Sequence, residues 1–343
     1  MRIVTIDDFC DIYFKMKQKG FYFIFSKLNF IGKLRTKKAF NQNNFSASEW
    51  YIIPKIRERW NKLITGNENI FYEDFLMQEI FAEKYNLRLL SLGSGVCSHE
   101  LRFASYPNFS EVICVDIAQN RLNEAKEKAK EKQLNNIHFV CTDAYTYLRE
   151  QTDSFDVVLF HSSLHHFKNV NFLIQNQIFS ILKNGGNLII NEYVGNNRLQ
   201  FSSKQLKAVN QALKLIPDKY KKVYGTNISK KKFHGLGLLR MIIADPSECV
   251  ESENILPAIY NNFKTIIEKP FGGNILMGVL KNISHNFITL DAEKEQVLNT
   301  LFAFEDDYLK ENSSNFIFGV YEKNVIILRD YSEVNKSASN LSK

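Results

Sequence analysis

The stretch Leu89-Leu90-Ser91-Leu92-Gly93-Ser94-Gly95-Val96-Cys97 decides the fold. A short apolar run ending in Gly-x-Gly and passing into the amphipathic segment 97–106 reads as a buried strand, a tight turn and a helix. Glycines at such a turn let the backbone approach a bound group, and the helix start behind them offers unpaired N–H groups to an anion. The same alternation continues downstream. Val112-Ile113-Cys114-Val115 is a strand, followed by a charged helix from Ala118 to Lys132. Further strands are expected at Ile137–Cys141, Phe155–Phe160 and Asn187–Ile190, with a helix over 170–182 that stops before Asn184-Gly185-Gly186. Near-continuous apolar strands separated by helices predict a parallel sheet covered on both faces. Right-handed crossovers make it a doubly wound, Rossmann-like α/β sheet.

Around this core the 343-residue chain divides by pattern. Residues 1–86 are expected to form an N-terminal helical cap, 87–198 the Rossmann-like core, 199–261 a helical insertion or lid after strand five, 262–330 the C-terminal part of the core sheet, and 331–343 a flexible tail. Composition is ordinary for a globular protein, with 45% hydrophobic and 24% charged residues, which excludes a disordered chain. A net charge of +7 is mild for this size and does not by itself indicate nucleic acid. Met1-Arg2-Ile3-Val4 runs into Asp7, Asp8 and Asp11 without an apolar core of an export signal. The five cysteines show no C-x-x-C pairing, so reduced thiols and a cytoplasmic location are expected. From Ile12 to Ser48 there is no acid, and eight Lys and Arg interleave with Phe and Tyr. That stretch suits peripheral contact with an anionic membrane or phosphates. The simpler expectation is helices that bury Phe and solvate Lys.

Asp116 ends the second strand, where a carboxylate can accept both hydroxyls of a ribose. Asp143 and Ala144 follow the third strand, in reach of an adenine. Together with Gly93, Ser94 and Gly95 they point to an adenosine-containing cofactor. The alternative is structural: two turn glycines and two helix caps. A dinucleotide fingerprint would need a third glycine at Ser98, and no second mononucleotide-binding half is visible.

At these residues the chain resembles the class I S-adenosylmethionine-dependent methyltransferases, over roughly residues 86–195. The resemblance is carried by Leu92-Gly93-Ser94-Gly95, Asp116, Asp143 and Phe155-Asp156-Val157-Val158. More narrowly it is similar to bacterial stand-alone methyltransferases of glycan or natural-product pathways, through His161-Ser162-Ser163-Leu164-His165-His166, Asn191-Glu192-Tyr193-Val194-Gly195 and Ala244-Asp245-Pro246-Ser247-Glu248. The resemblance implies that Gly93 and Gly95 lie against the methionyl end, Asp116 holds the ribose, Ile117 packs on adenine and Asp143 meets its amine. The family often has an acid where this chain has Ser91, and a third glycine where it has Cys97.

In an open α/β sheet the chemistry lies beyond the carboxyl ends of the strands. His161, His165 and His166 follow strand four, and Glu192 and Tyr193 follow strand five. His165 is the first candidate for the base that takes the acceptor's proton. Glu192 is the second, and His161 an acceptor or cofactor contact. His166, Tyr193 and Trp50 are assigned to substrate binding. Chelation by His161, His165 and Glu192 is the weaker alternative, and no metal is expected. The expected substrate is a small molecule or glycan precursor methylated on a hydroxyl or amine. No segment suited to exocyclic base amines follows strand four, so no nucleic acid is expected. The rival readings are a NAD-dependent oxidoreductase and a non-catalytic partner protein with a cofactor fold.

Overall fold

The computed structural model describes residues 2–19, 49–151 and 154–323. The basic aromatic stretch, with its possible membrane contact, and the C-terminal tail fall mainly or wholly outside those residues. Seven strands share one sheet: β1 (Leu87–Leu92), β2 (Phe109–Asp116), β3 (Ile137–Cys141), β4 (Phe155–His161), β5 (Leu182–Tyr193), β6 (Phe263–Gly272) and β7 (Phe316–Lys323). Their order is β3-β2-β1-β4-β5-β7-β6. The first five pair in parallel, and β7 enters antiparallel between β5 and β6. The chain therefore reverses its winding at β1 and β4, which opens a crevice beyond their carboxyl ends.

Period-two alternation sorts the strand residues onto two cores. Leu89, Val112, Cys114, Val157 and Leu159 face Leu76, Leu101 and Leu122. Leu90, Leu92, Val115, Val158 and Phe160 face Leu173, Ile174 and Ile178. Those last three belong to a π-helical segment, Leu173–Ile178, inside the helix over 170–181. Every residue named here is buried, which is why the strands read as unbroken apolar runs.

A third core joins parts far apart in sequence. Trp50, Ile53 and Ile56 pack with Val209 and Leu213 of the helix Ser203–Lys214, Leu276 and Leu280 of the helix Leu276–Leu280, and Leu298 and Leu301 of the helix Ala292–Leu309. The helix Pro54–Thr65 starts on Pro54 and stops at Gly66, whose φ of 86° is the left-handed cap that glycine favours. The helix Ile6–Lys19 is tied down by its acids. Asp7 accepts from the amides of His234 and Gly235, Asp8 from that of Gly237, and Asp11 pairs with Arg240 and Lys281. No helix among the described residues is long and apolar enough to cross a membrane.

Trp50 is 4% exposed and packs edge-on to Trp60, with ring centroids 4.9 Å apart, and against Phe316. The sequence reading assigned it to substrate contact, but its ring is core, because the 3₁₀ turn Trp50–Ile52 directs it inward. Trp50→Ala is expected to cost about 3–5 kcal/mol in urea unfolding. A fully stable variant with impaired acceptor turnover would return Trp50 to the substrate.

The basic loop 219–232 is largely consumed internally. Lys219 pairs with Glu293 and Lys221 with Asp218. Lys230 donates to the carbonyls of Gly278, Val279 and Lys281, closing the end of the helix Leu276–Leu280.

Candidate active site

The turn after β1 is shaped from both sides. Gly93 has φ +75°, and a Cβ there would stand 2.7 Å from Ser163 Cβ. Gly95 has φ +57° with Arg121 Nη1 3.4 Å from the equivalent point. Cys97, where the resemblance places glycine, is also left-handed, at φ 53°. A side chain costs roughly 1–2 kcal/mol in that conformation, so the turn keeps its shape at some loss of stability. The acid absent at position 91 is supplied from the next helix: Ser91 Oγ donates to Glu100 Oε1 at 2.5 Å. Burial pushes the Glu100 carboxyl up from its ordinary range.

Asp116 accepts from the Gly95 amide at 2.8 Å and from the Ala118 amide at 2.7 Å, one bond on each oxygen. A carboxylate has about four acceptor positions, so two stay open for a ribose. Asp143 caps the helix Ala144–Glu150 by accepting from the amides of Tyr145 and Thr146. Both acids thus combine the structural role with a place at the crevice. Asp143 is exposed, and Ile117 and Ala144 are half-buried beside it. A turn that admits no Cβ at Gly93, with Asp116 and Asp143 at successive strand ends, fits an adenosine-bearing group.

Beyond β4 the three histidines part company. His161 stacks on His99, with centroids 3.6 Å apart, and on Tyr72, whose hydroxyl is 3.2 Å from His161 Nδ1. Burial and the neighbouring His99 hold His161 well below the ordinary imidazole range, so it is neutral. His99 itself is raised: burial opposes its charge, and Glu73, 2.6 Å from its Nδ1, outweighs burial. Among the described residues His161, His165 and Glu192 form no chelating group, which corrects the alternative weighed from the sequence. The cause is the turn at Ser162, with φ 49°, which separates His161 from the residues that follow.

His165, His166 and Glu192 do come together, with Asp245 and Glu248. Glu192 is fully buried. Its Oε1 accepts from the amides of Ser163 at 2.5 Å and Leu164 at 2.6 Å, and its Oε2 lies 2.7 Å from His165 Nδ1. His165 Nε2 faces Glu248 Oε1 at 3.9 Å, and His166 Nε2 faces Glu248 Oε2 at 3.9 Å. His166 Nδ1 is 3.2 Å from Ser247 Oγ. Burial works against a charge on His165, but Glu192, then Glu248 and Asp245, outweigh it and push it up to about 9. At neutral pH its ring therefore carries two protons, whereas the sequence suggested an imidazole near 6.5. Burial and the charge on His165 hold His166 below the ordinary range. The two rings keep Glu248 ionised against its burial.

The link to the cofactor turn is Ser163, whose Oγ donates to the Leu92 carbonyl at 2.8 Å. Tyr193 is buried and its hydroxyl donates to the Asn196 carbonyl, so it braces the loop after β5. Glu248 and Asp245 were absent from the candidate list, although the segment 244–248 had been singled out for its resemblance. Tyr51 was also missed. Its hydroxyl, raised to about 12 by burial and then by Glu49, is near enough to Arg121 and Glu248 to feel their charges.

A family model described as a methyltransferase domain matches residues 83–269. Demethylmenaquinone methyltransferase of Leptospira interrogans is 30% identical over 163 residues, covering 46% of this chain and 62% of that protein. Release factor glutamine methyltransferase of Francisella tularensis is 31% identical over 84 residues, 24% of this chain and 29% of the other. This chain thus spans less than two thirds of the length of these curated relatives. Among solved structures, the phosphoethanolamine N-methyltransferase 2 of Haemonchus contortus in complex with S-adenosyl-L-methionine is 16% identical, with 84% of this chain and 60% of that chain covered and a TM-score of 0.44. The [4+2]-cyclase SpnF is 16% identical, with 74% and 80% covered and a TM-score of 0.43. More than half of the chain is matched by the family model, and the chain belongs to the methyltransferase-domain family, whose methyl donor is S-adenosylmethionine.

Proposed function

We propose that the chain methylates a hydroxyl or amine of a small molecule or glycan precursor, in the cytoplasm. The observation that carries this reading is the array Glu192–His165–Glu248, buried beyond β4 and β5 and joined through Ser163 to the glycine turn. S-adenosylmethionine would supply an electrophilic methyl group: the new O–C or N–C bond forms as the C–S bond breaks, the sulfur keeps the electron pair, and the acceptor's proton passes to solvent.

The chain's own residues would do the rest. Gly93 and Gly95 let the backbone approach the methionyl end, Asp116 accepts from the ribose, Ile117 and Ala144 flank the adenine, and Asp143 meets its amine. His165 faces the acceptor. Glu192, engaged by three partners and shut off from solvent, is a positioning residue rather than the base. His166, Asp245 and Glu248 line the acceptor side, with Tyr51 near Glu248. The five cysteines, all free, support a reducing compartment.

Calorimetry with S-adenosylhomocysteine, followed by transfer of labelled methyl from S-adenosylmethionine to small-molecule and glycan fractions, tests the reading. Binding of NADH without binding of S-adenosylhomocysteine would overturn it. Asp116→Ala is expected to weaken S-adenosylhomocysteine ten- to a hundredfold, since hydrogen bonds to a charged group are worth about 1.5–3 kcal/mol. Unchanged affinity would show that Asp116 serves only the amides of Gly95 and Ala118.

A further inference from the structure

We propose that His165, His166 and Glu248 bind a divalent first-row transition-metal ion that takes an oxygen of the acceptor as a further ligand. The role rests on the methyltransferase reading above, whereas the site rests on its own geometry. One nitrogen of each ring and one oxygen of Glu248 lie within 4.8 Å of one another. Metal–ligand bonds of about 2.0–2.2 Å place neighbouring ligand atoms roughly 3–3.5 Å apart, so a contraction of about 1 Å closes the group.

Both rings are oriented from behind, and the ion would displace the second proton of His165 from Nε2, as metal binding to imidazole does. Glu192 Oε2 holds His165 Nδ1 at 2.7 Å, and Ser247 Oγ holds His166 Nδ1 at 3.2 Å. The Ser247 hydroxyl already donates to Asp245 Oδ1 at 2.6 Å, so toward His166 it is an acceptor. The hydrogen of a neutral His166 is therefore on Nδ1, and the lone pair of Nε2 is directed at Glu248 Oε2, 3.9 Å away. Nε2 is thus the atom that a cation between His166 and Glu248 would take. Imidazoles held by a carboxylate or another acceptor on the far nitrogen are the usual support of a metal site.

Charge points the same way. Glu192, Asp245 and Glu248 bring three carboxylates into one enclosed cluster. The cations facing them are His165 and Arg198, whose Nη1 donates to the carbonyls of Pro246 and Glu248 and whose charge also acts on the Glu248 carboxylate, so carboxylates still outnumber cations. Two imidazoles and one carboxylate suit Zn²⁺, Mn²⁺, Fe²⁺ or Co²⁺ better than Mg²⁺ or Ca²⁺. Three protein ligands leave positions for water and one acceptor oxygen. An acceptor hydroxyl bound there would be fixed in place and would lose its proton to solvent more readily.

The full chain titrated with Co²⁺ under anaerobic conditions, read by visible d–d absorption, is the test. One equivalent is expected to bind with nitrogen–oxygen ligand character and without the near-ultraviolet band of a thiolate ligand. His166→Ala and the near-isosteric Glu248→Gln should each weaken it by at least about tenfold. Calorimetry with S-adenosylhomocysteine on the same samples reports folding and the cofactor site separately. A chain that binds S-adenosylhomocysteine but gives no stoichiometric Co²⁺ band overturns the metal site and leaves the methyltransferase reading intact. So does a band that both variants keep unchanged. A chain that binds Co²⁺ as described but not S-adenosylhomocysteine supports the site and removes its proposed role.

Discussion

Glu192→Ala is expected to destabilise the protein by about 3–5 kcal/mol, the loss typical of removing one partner from a buried ionic network. The fully buried carboxylate accepts from two backbone amides and faces His165. Its removal leaves the Ser163 and Leu164 amides without acceptors in a dry site, at about 1–3 kcal/mol each. Glu192→Gln keeps an acceptor for both amides but turns an NH2 donor toward His165 Nδ1 where the acceptor stood, so it should retain more of the stability than Glu192→Ala while losing turnover. Urea unfolding of the two variants checks this ordering. Equal and small losses would mean that Ser163 and Leu164 are held by something other than Glu192.

The second large effect is kinetic. His165→Ala should lower turnover by about 10²–10³, the range for loss of one positioned donor at the reacting centre, which is the role open to a ring that carries two protons. The affinity for S-adenosylhomocysteine should stay within about threefold, because Glu192 still holds the Ser163 amide, and Ser163 the Leu92 carbonyl, once the ring is gone. His161→Ala should do less to turnover, since His161 is neutral and engaged with Tyr72 and His99. Single-turnover measurements with a known acceptor separate the two. Near-normal turnover in His165→Ala would leave alignment of acceptor and methyl as the whole of catalysis.

The core of the fold was legible because its strands are buried on both faces and carry their own signal. Ile137–Cys141 matches the expected span, and β1, β2 and β4 differ at their ends by a few residues. The direction of β7 was not legible, because a strand's direction depends on the path of the chain before it. Gly93, Asp116, Asp143, His165 and Glu192 were readable as strand-end residues. Glu248 was not, since it reaches the cluster from a loop 56 positions beyond Glu192 along the chain, and no periodicity encodes that return. Trp50 misled for a related reason: an aromatic ring beside Tyr51 looks the same in sequence whether it faces a crevice or a core.

Ser163 has a wider consequence. Its Cβ rests against Gly93 and its hydroxyl holds the Leu92 carbonyl, while its amide is held by Glu192. The glycine turn and the acceptor side are therefore anchored on one residue. New acceptor ranges would have to come from grafting the surrounding segments, those before Pro54 and around Asp245–Glu248.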